Sequence, residues 1–81
     1  MKNLNIGMAV ELLKQGLRVR RTGWNGKGMW LHLVGPWTFT DGKNDNFECL
    51  PFVCMKTADD KSVPWLCSQT DLLAEDWEQA V

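Results

Sequence analysis

Only one stretch of this sequence carries apolar residues at helical spacing, and that limits the chain to a fold with a single long helix. Ile6, Ala9, Val10 and Leu13 fall at i, i+3, i+4 and i+7, and Leu17 extends the stripe. Asn5 stands where an N-cap acceptor is wanted, and Gly16 where a left-handed residue ends a helix. From Leu17 onward the pattern is that of strands. Arg18-Val19-Arg20-Arg21 is short and extended, Met29 to Val34 is the clearest apolar strand, and Trp37-Thr38-Phe39-Thr40 alternates with period two up to a hairpin signal at Asp41-Gly42. Residues 43–49 are polar and irregular and are expected to form a loop.

Phe52 to Thr57 and Ser62 to Leu66 read as a second hairpin joined by Asp59-Asp60. Pro64 cannot donate to a ladder, so that strand is an edge or ends there. Ser68 and Asp71 have capping-box spacing and open a short helix through Ala74; Asp76-Trp77-Glu78 then suits a final strand. The expected fold is α+β: an N-terminal helix packed on a small antiparallel β-sheet, with a short second helix near the C-terminus. At 81 residues the chain fits one ligand-binding domain, residues 1–81. So short a chain has a marginal core. Five Trp and three Phe add apolar area, and oligomerisation is the expected further support.

Several function classes are poorly supplied. A net charge of −1 lacks the basic footprint of a protein for nucleic-acid polymers or anionic membranes. Cys49, Cys54 and Cys67 are odd in number and have no CxxC spacing, which fits reduced thiols in a cytoplasm. Residues 1–5 have no apolar signal-peptide core, and no run approaches a membrane span. His32 is the single histidine, inside a strand and without a paired nucleophile, and the carboxylates fall at turns and helix ends. No catalytic set, metal site or cofactor is expected.

The segment Gly23-Trp24-Asn25-Gly26-Lys27-Gly28 stands out. It is too short for a phosphate loop of the Walker type, and Met29 follows where Ser or Thr would be needed. Its three glycines nevertheless allow close backbone approach, Lys27 supplies a point charge and Trp24 a flat face. Two readings of Trp24 stand side by side: a platform on which a base stacks, or a lid folded back on the core. Arg21 shares a pleat face with Val19, so a buried Val19 carries Arg21 to a half-buried position that needs a partner. That partner is either Asp76 or a ligand phosphate. Ser68-Gln69-Thr70-Asp71 offers hydroxyls, an amide and a carboxylate beyond what capping requires, suited to a ribose hydroxyl or base edge. The candidate ligand-binding set is therefore Arg21, Trp24, Asn25, Gly26, Lys27, Ser68, Gln69, Thr70 and Asp71.

Residues 21–29 (RTGWNGKGM), Met55-Lys56-Thr57-Ala58-Asp59, Val63-Pro64-Trp65-Leu66 and residues 68–77 (SQTDLLAEDW) resemble the second Thoeris anti-defence family, small proteins of phages and prophages. The resemblance covers the N-terminal helix, the glycine segment and nearly all of the last third. It implies a non-enzymatic sponge acting in the cytoplasm of the infected bacterial host. Such a sponge binds a cyclic ADP-ribose isomer, the signal made by a TIR-domain enzyme, without cleaving it, and so blocks Thoeris immunity. It also implies a homotetramer with pockets between subunits, and in some relatives capture of cyclic oligonucleotides. Residues 35–49 match no part of the family pattern, Asp60 stands where relatives often have Gly, and His32 where an aromatic is common. The rival expectations are an enzyme that degrades the nucleotide signal, with His32 its only base, and a protein-binding inhibitor anchored by Trp37 and Phe39.

Overall fold

A computed structural model describes residues 1–24, 27–40 and 46–80. Helix α1 (Ile6–Lys14) is closed at both ends by the residues expected to close it. Asn5 accepts from the Met8 amide at 2.9 Å. Beyond the helix, Gly16 lies at φ 84°, its amide donates to Leu13 O and that of Leu17 to Leu12 O. The buried stripe is Ala9, Leu12 and Leu13, whereas Val10 stays exposed. Spacing alone admits either Val10 or Leu12 beside Ala9 and Leu13; the position of the sheet selects Leu12.

Strands β1 (Arg18–Arg21), β2 (Trp30–Val34), β5 (Phe52–Lys56), β6 (Ser62–Pro64) and β7 (Trp77–Ala80) form one antiparallel sheet in the order β6-β5-β2-β1-β7. Short α2 (Gln69–Leu72) precedes β7, and the fold is α+β. Leu4, Ala9, Leu12, Leu13, Val19, Leu31 and Trp77 make the core between α1 and one sheet face. Trp77 is its largest fully buried side chain, and its indole N–H donates to Asp71 O at 3.0 Å. On the opposite face Arg18 lies 4.0 Å from the ring centre of Trp30, which meets His32 edge-on. His32 is thus a packing residue on the sheet.

Strand β3 (Trp37–Thr40) pairs with β4 (Asn46–Cys49) as a separate two-stranded ribbon, Trp37 opposite Cys49 and Thr40 opposite Asn46. This corrects the loop expected over 43–49 at residues 46–49; residues 43–45 lie outside the described residues. Asn46 and Glu48 are poor strand formers, but β3 offers them a row of backbone partners, and context outweighs propensity in a strand. The Asp41-Gly42 turn lies outside the described residues. In the second hairpin β6 is the edge strand and ends at Pro64 as expected. Asp60, at φ 63°, occupies the left-handed region that Gly favours and Asp tolerates, and it pairs with Lys56 at 2.7 Å.

Candidate functional site

The site is built where the chain leaves β1. Val19 is fully buried, so the pleat carries Arg21 toward the core side. There its guanidinium meets two carboxylates: Nε donates to Asp76 Oδ1 at 2.7 Å and Nη1 to Asp71 Oδ1 at 2.8 Å. Of the two partners open for Arg21, the structure supplies Asp76 and adds Asp71. Both bonds hold the guanidinium above its ordinary range. The Arg21 bond also leads in lowering Asp76, against the opposing effect of burial, with help from the Gly23 amide and Thr22. For Asp71, burial pushes upward, and the hydrogen bonds from Arg21 and Trp24 outweigh it, leaving the carboxyl below its usual value.

The same carboxylates fix the start of the glycine segment. Asp76 Oδ2 accepts from the Gly23 amide at 2.8 Å and Thr22 Oγ1 at 3.1 Å, while Asp76 O accepts from the Thr22 amide. A Cβ on Gly23 would stand 2.9 Å from Asp76 Oδ2, so any larger residue there has to push aside the carboxylate that holds the segment. Trp24 Nε1 donates to Asp71 Oδ1 at 3.2 Å, and its ring meets Trp77 edge-on with centroids 5.4 Å apart. Trp24 therefore does pack onto the core, as the lid reading held. It also lines a cavity of about 450 Å³ together with Arg20, Arg21, Thr22, Lys27, Gly28, Met29 and Glu78.

Arg21, Trp24 and Lys27 of the expected set line this cavity, but Arg21 faces it with its charge already matched by two carboxylates. Asp71 lies behind Trp24 as its anchor and is not part of the lining. Ser68 caps α2 by accepting from the Asp71 amide at 3.1 Å and shares a hydrogen bond with Thr70; Gln69 and Thr70 are exposed. None of these three lines the cavity. Asn25 and Gly26 lie outside the described residues. Sequence reading left Arg20, Thr22, Gly28, Met29 and Glu78 out of the set. The first and last are cross-strand partners; the available signal was the expected final strand, whose pairing with β1 at Arg21–Trp77 brings Glu78 opposite Arg20.

Arg20 Nε and Nη2 both lie 3.0 Å from Glu78 Oε2. Lys27 is exposed and has no ion-pair or hydrogen-bond partner among the described residues, so it is the lining cation whose charge is unmatched. Among the described residues no group of three or more His, Cys, Asp or Glu could hold a metal, and no helix is long and apolar enough to cross a membrane.

A family model described as the Thoeris anti-defense 2-like domain matches residues 4–80. A protein of Bacillus phage SP01 called Thoeris anti-defense 2 is 43% identical over 82 residues, covering 93% of this chain and 92% of its own length.

Proposed function

We propose, from the premise that this chain belongs to the Thoeris anti-defense 2-like family and has its anti-defence role, that it acts as a sponge for a cyclic ADP-ribose-type signal. It holds the nucleotide without cleaving it and so keeps the downstream effector silent. The observation that carries this reading is the cavity of about 450 Å³, which combines an indole wall, an unmatched ammonium and two arginines. That volume falls within the range of small-molecule sites. Trp24 suits a base, at about 1–3 kcal/mol for a stack, and Lys27 suits a phosphate. Among the described residues the lining contains no histidine, cysteine or serine, and its one hydroxyl, Thr22, is hydrogen-bonded to Asp76. Binding without reaction is what such a set supports.

Assembly belongs to the same proposal. Leu50, Leu66 and Leu73 are 75%, 91% and 75% exposed, a load of apolar surface that a homotetramer would cover. Pockets closed between subunits would strengthen each polar contact by excluding water. Light scattering at micromolar concentration is expected to give several times the chain mass.

The deciding experiment is calorimetry of the purified protein against cyclic ADP-ribose isomers and cyclic dinucleotides, followed by release of the bound ligand by heat. Intact cyclic ADP-ribose is the expected product. Linear ADP-ribose above a no-protein control would move the protein to the enzymes. Tighter binding of a cyclic dinucleotide would change the signal assigned to it.

A further inference from the structure

We propose that the Arg20–Glu78 pair is a specificity element of the cavity, with Glu78 accepting hydrogen bonds from ligand hydroxyl or N–H groups. The inference rests on the reading of the cavity as a nucleotide site and goes beyond it by naming what selects nucleotides over bare phosphates. The register places Arg20 opposite Glu78 on β1 and β7, and both line the cavity. Two guanidinium nitrogens converge on a single oxygen, Oε2. Glu78 Oε1 has no partner among the described residues, and neither has Arg20 Nη1. The Glu78 side chain is 16% exposed, so it is largely held in place by the fold, and its second oxygen is open to a donor from the cavity or from water.

Charge explains the consequence. Arg21 is neutralised by Asp71 and Asp76, and Arg20 by Glu78, which leaves Lys27 as the cation of the lining without a partner among the described residues. A carboxylate oxygen repels phosphate but accepts readily from a ribose hydroxyl, the pairing by which acidic residues hold ribose in dinucleotide sites. A ligand that fits must present phosphate toward Lys27 and donors toward Glu78. A nucleotide carries both; inorganic pyrophosphate carries only the first. The cavity therefore discriminates by rejection as well as attraction.

The test is calorimetry of wild type and Glu78→Gln against cyclic ADP-ribose and inorganic pyrophosphate, with thermal melts on the same samples. Glu78→Gln is expected to weaken cyclic ADP-ribose by about ten- to 100-fold, the value of a charge-assisted hydrogen bond, and to tighten pyrophosphate. Loss of fold cannot produce a gain for one ligand and a loss for the other. If Glu78→Gln fails to fold, Arg20→Gln serves instead: an uncompensated carboxylate should then weaken pyrophosphate more than cyclic ADP-ribose. A wild type that binds cyclic ADP-ribose, with variants that leave the ratio of the two affinities unchanged, overturns this inference alone. A wild type that does not bind cyclic ADP-ribose removes the sequestration reading and this one with it.

Discussion

The two ends of the glycine segment are held very differently. At its start, Thr22, Gly23 and Trp24 are tied to Asp76 and Asp71 through backbone amides, a hydroxyl and an indole N–H. At its far end, Lys56 Nζ donates to Gly28 O at 2.8 Å, and Lys27 has no partner among the described residues. The aromatic wall of the cavity is thus fixed before a ligand arrives, while the charge beside it remains free to adjust. The contrast teaches a division of labour. Orientation is paid for during folding, which lowers the ordering cost of binding, and the cation adapts to whatever phosphate geometry enters.

That contrast can be broken most forcefully at Asp76. Asp76→Ala strands the Gly23 amide, the Thr22 hydroxyl and half of the Arg21 guanidinium, and should lower unfolding free energy by about 2–4 kcal/mol in denaturant titration. A loss below 1 kcal/mol would mean that the start of the segment is not pinned. Trp24→Ala should cost about 2 kcal/mol of stability through lost packing on Trp77. It should also weaken cyclic ADP-ribose roughly five- to 150-fold. If stability falls and affinity does not, Trp24 is a lid alone.

Asp71→Asn sharpens the comparison further. The amide still accepts from the Trp24 indole but loses the charge opposite Arg21, for an expected cost of about 1–2 kcal/mol. Trp24 indole N–H exchange, followed by NMR, should change little. Its acceleration to the solvent rate would show that charge, and not the acceptor, positions the ring.

Acid offers a milder test. Asp71 and Asp76 both titrate below their ordinary value of 3.8 in the folded protein. The unfolded chain therefore binds more protons in the interval between folded and unfolded values, and stability rises with pH there. The contribution is complete above the ordinary carboxylate range and fades as pH falls through the folded values. Melting temperature measured below pH 5 should drop for wild type and drop less for Asp76→Asn; equal slopes would exclude these carboxylates as the cause. The smallest effect on stability belongs to Lys27→Ala, within about 0.5 kcal/mol. Its cyclic ADP-ribose affinity should nevertheless fall, and fall less at high salt.

Much of this arrangement was legible where the cause is local. Asn5 and Gly16 announce the ends of α1 because capping depends on a few adjacent residues. Period-two alternation placed Arg21 on the face of Val19, and so pointed to a half-buried guanidinium in need of a partner, with Asp76 and a ligand phosphate both left open. The parts that escaped depend on elements distant in sequence. Leu12 in place of Val10 is chosen by the sheet beneath the helix, and Asn46–Cys49 becomes a strand because β3 lies beside it. Ser68, Gln69 and Thr70 looked like a binding corner because their polar groups are visible in sequence, whereas the direction α2 points is not. Asp71 was noticed as a ligand residue, but its role as the anchor of Trp24 follows from a tertiary approach that no spacing encodes.

Strand β7 has a consequence for how the protein is made. It brings Glu78 to Arg20, 58 positions away, and Trp77 to the middle of the core, while Asp76 reaches back 55 positions to Arg21. Contacts so remote in sequence form late and slow the search for the native topology. At a synthesis rate of about 5–20 residues per second, β1 waits roughly 3–11 s before β7, the second of its two partner strands, has been made. For nearly all of that interval the apolar stripe of α1 lacks the indole that fills it, and Arg21 lacks both of its carboxylates. The core beneath α1 and the site around Arg21 are therefore completed by the same short stretch of chain, which carries Asp71, Asp76 and Trp77.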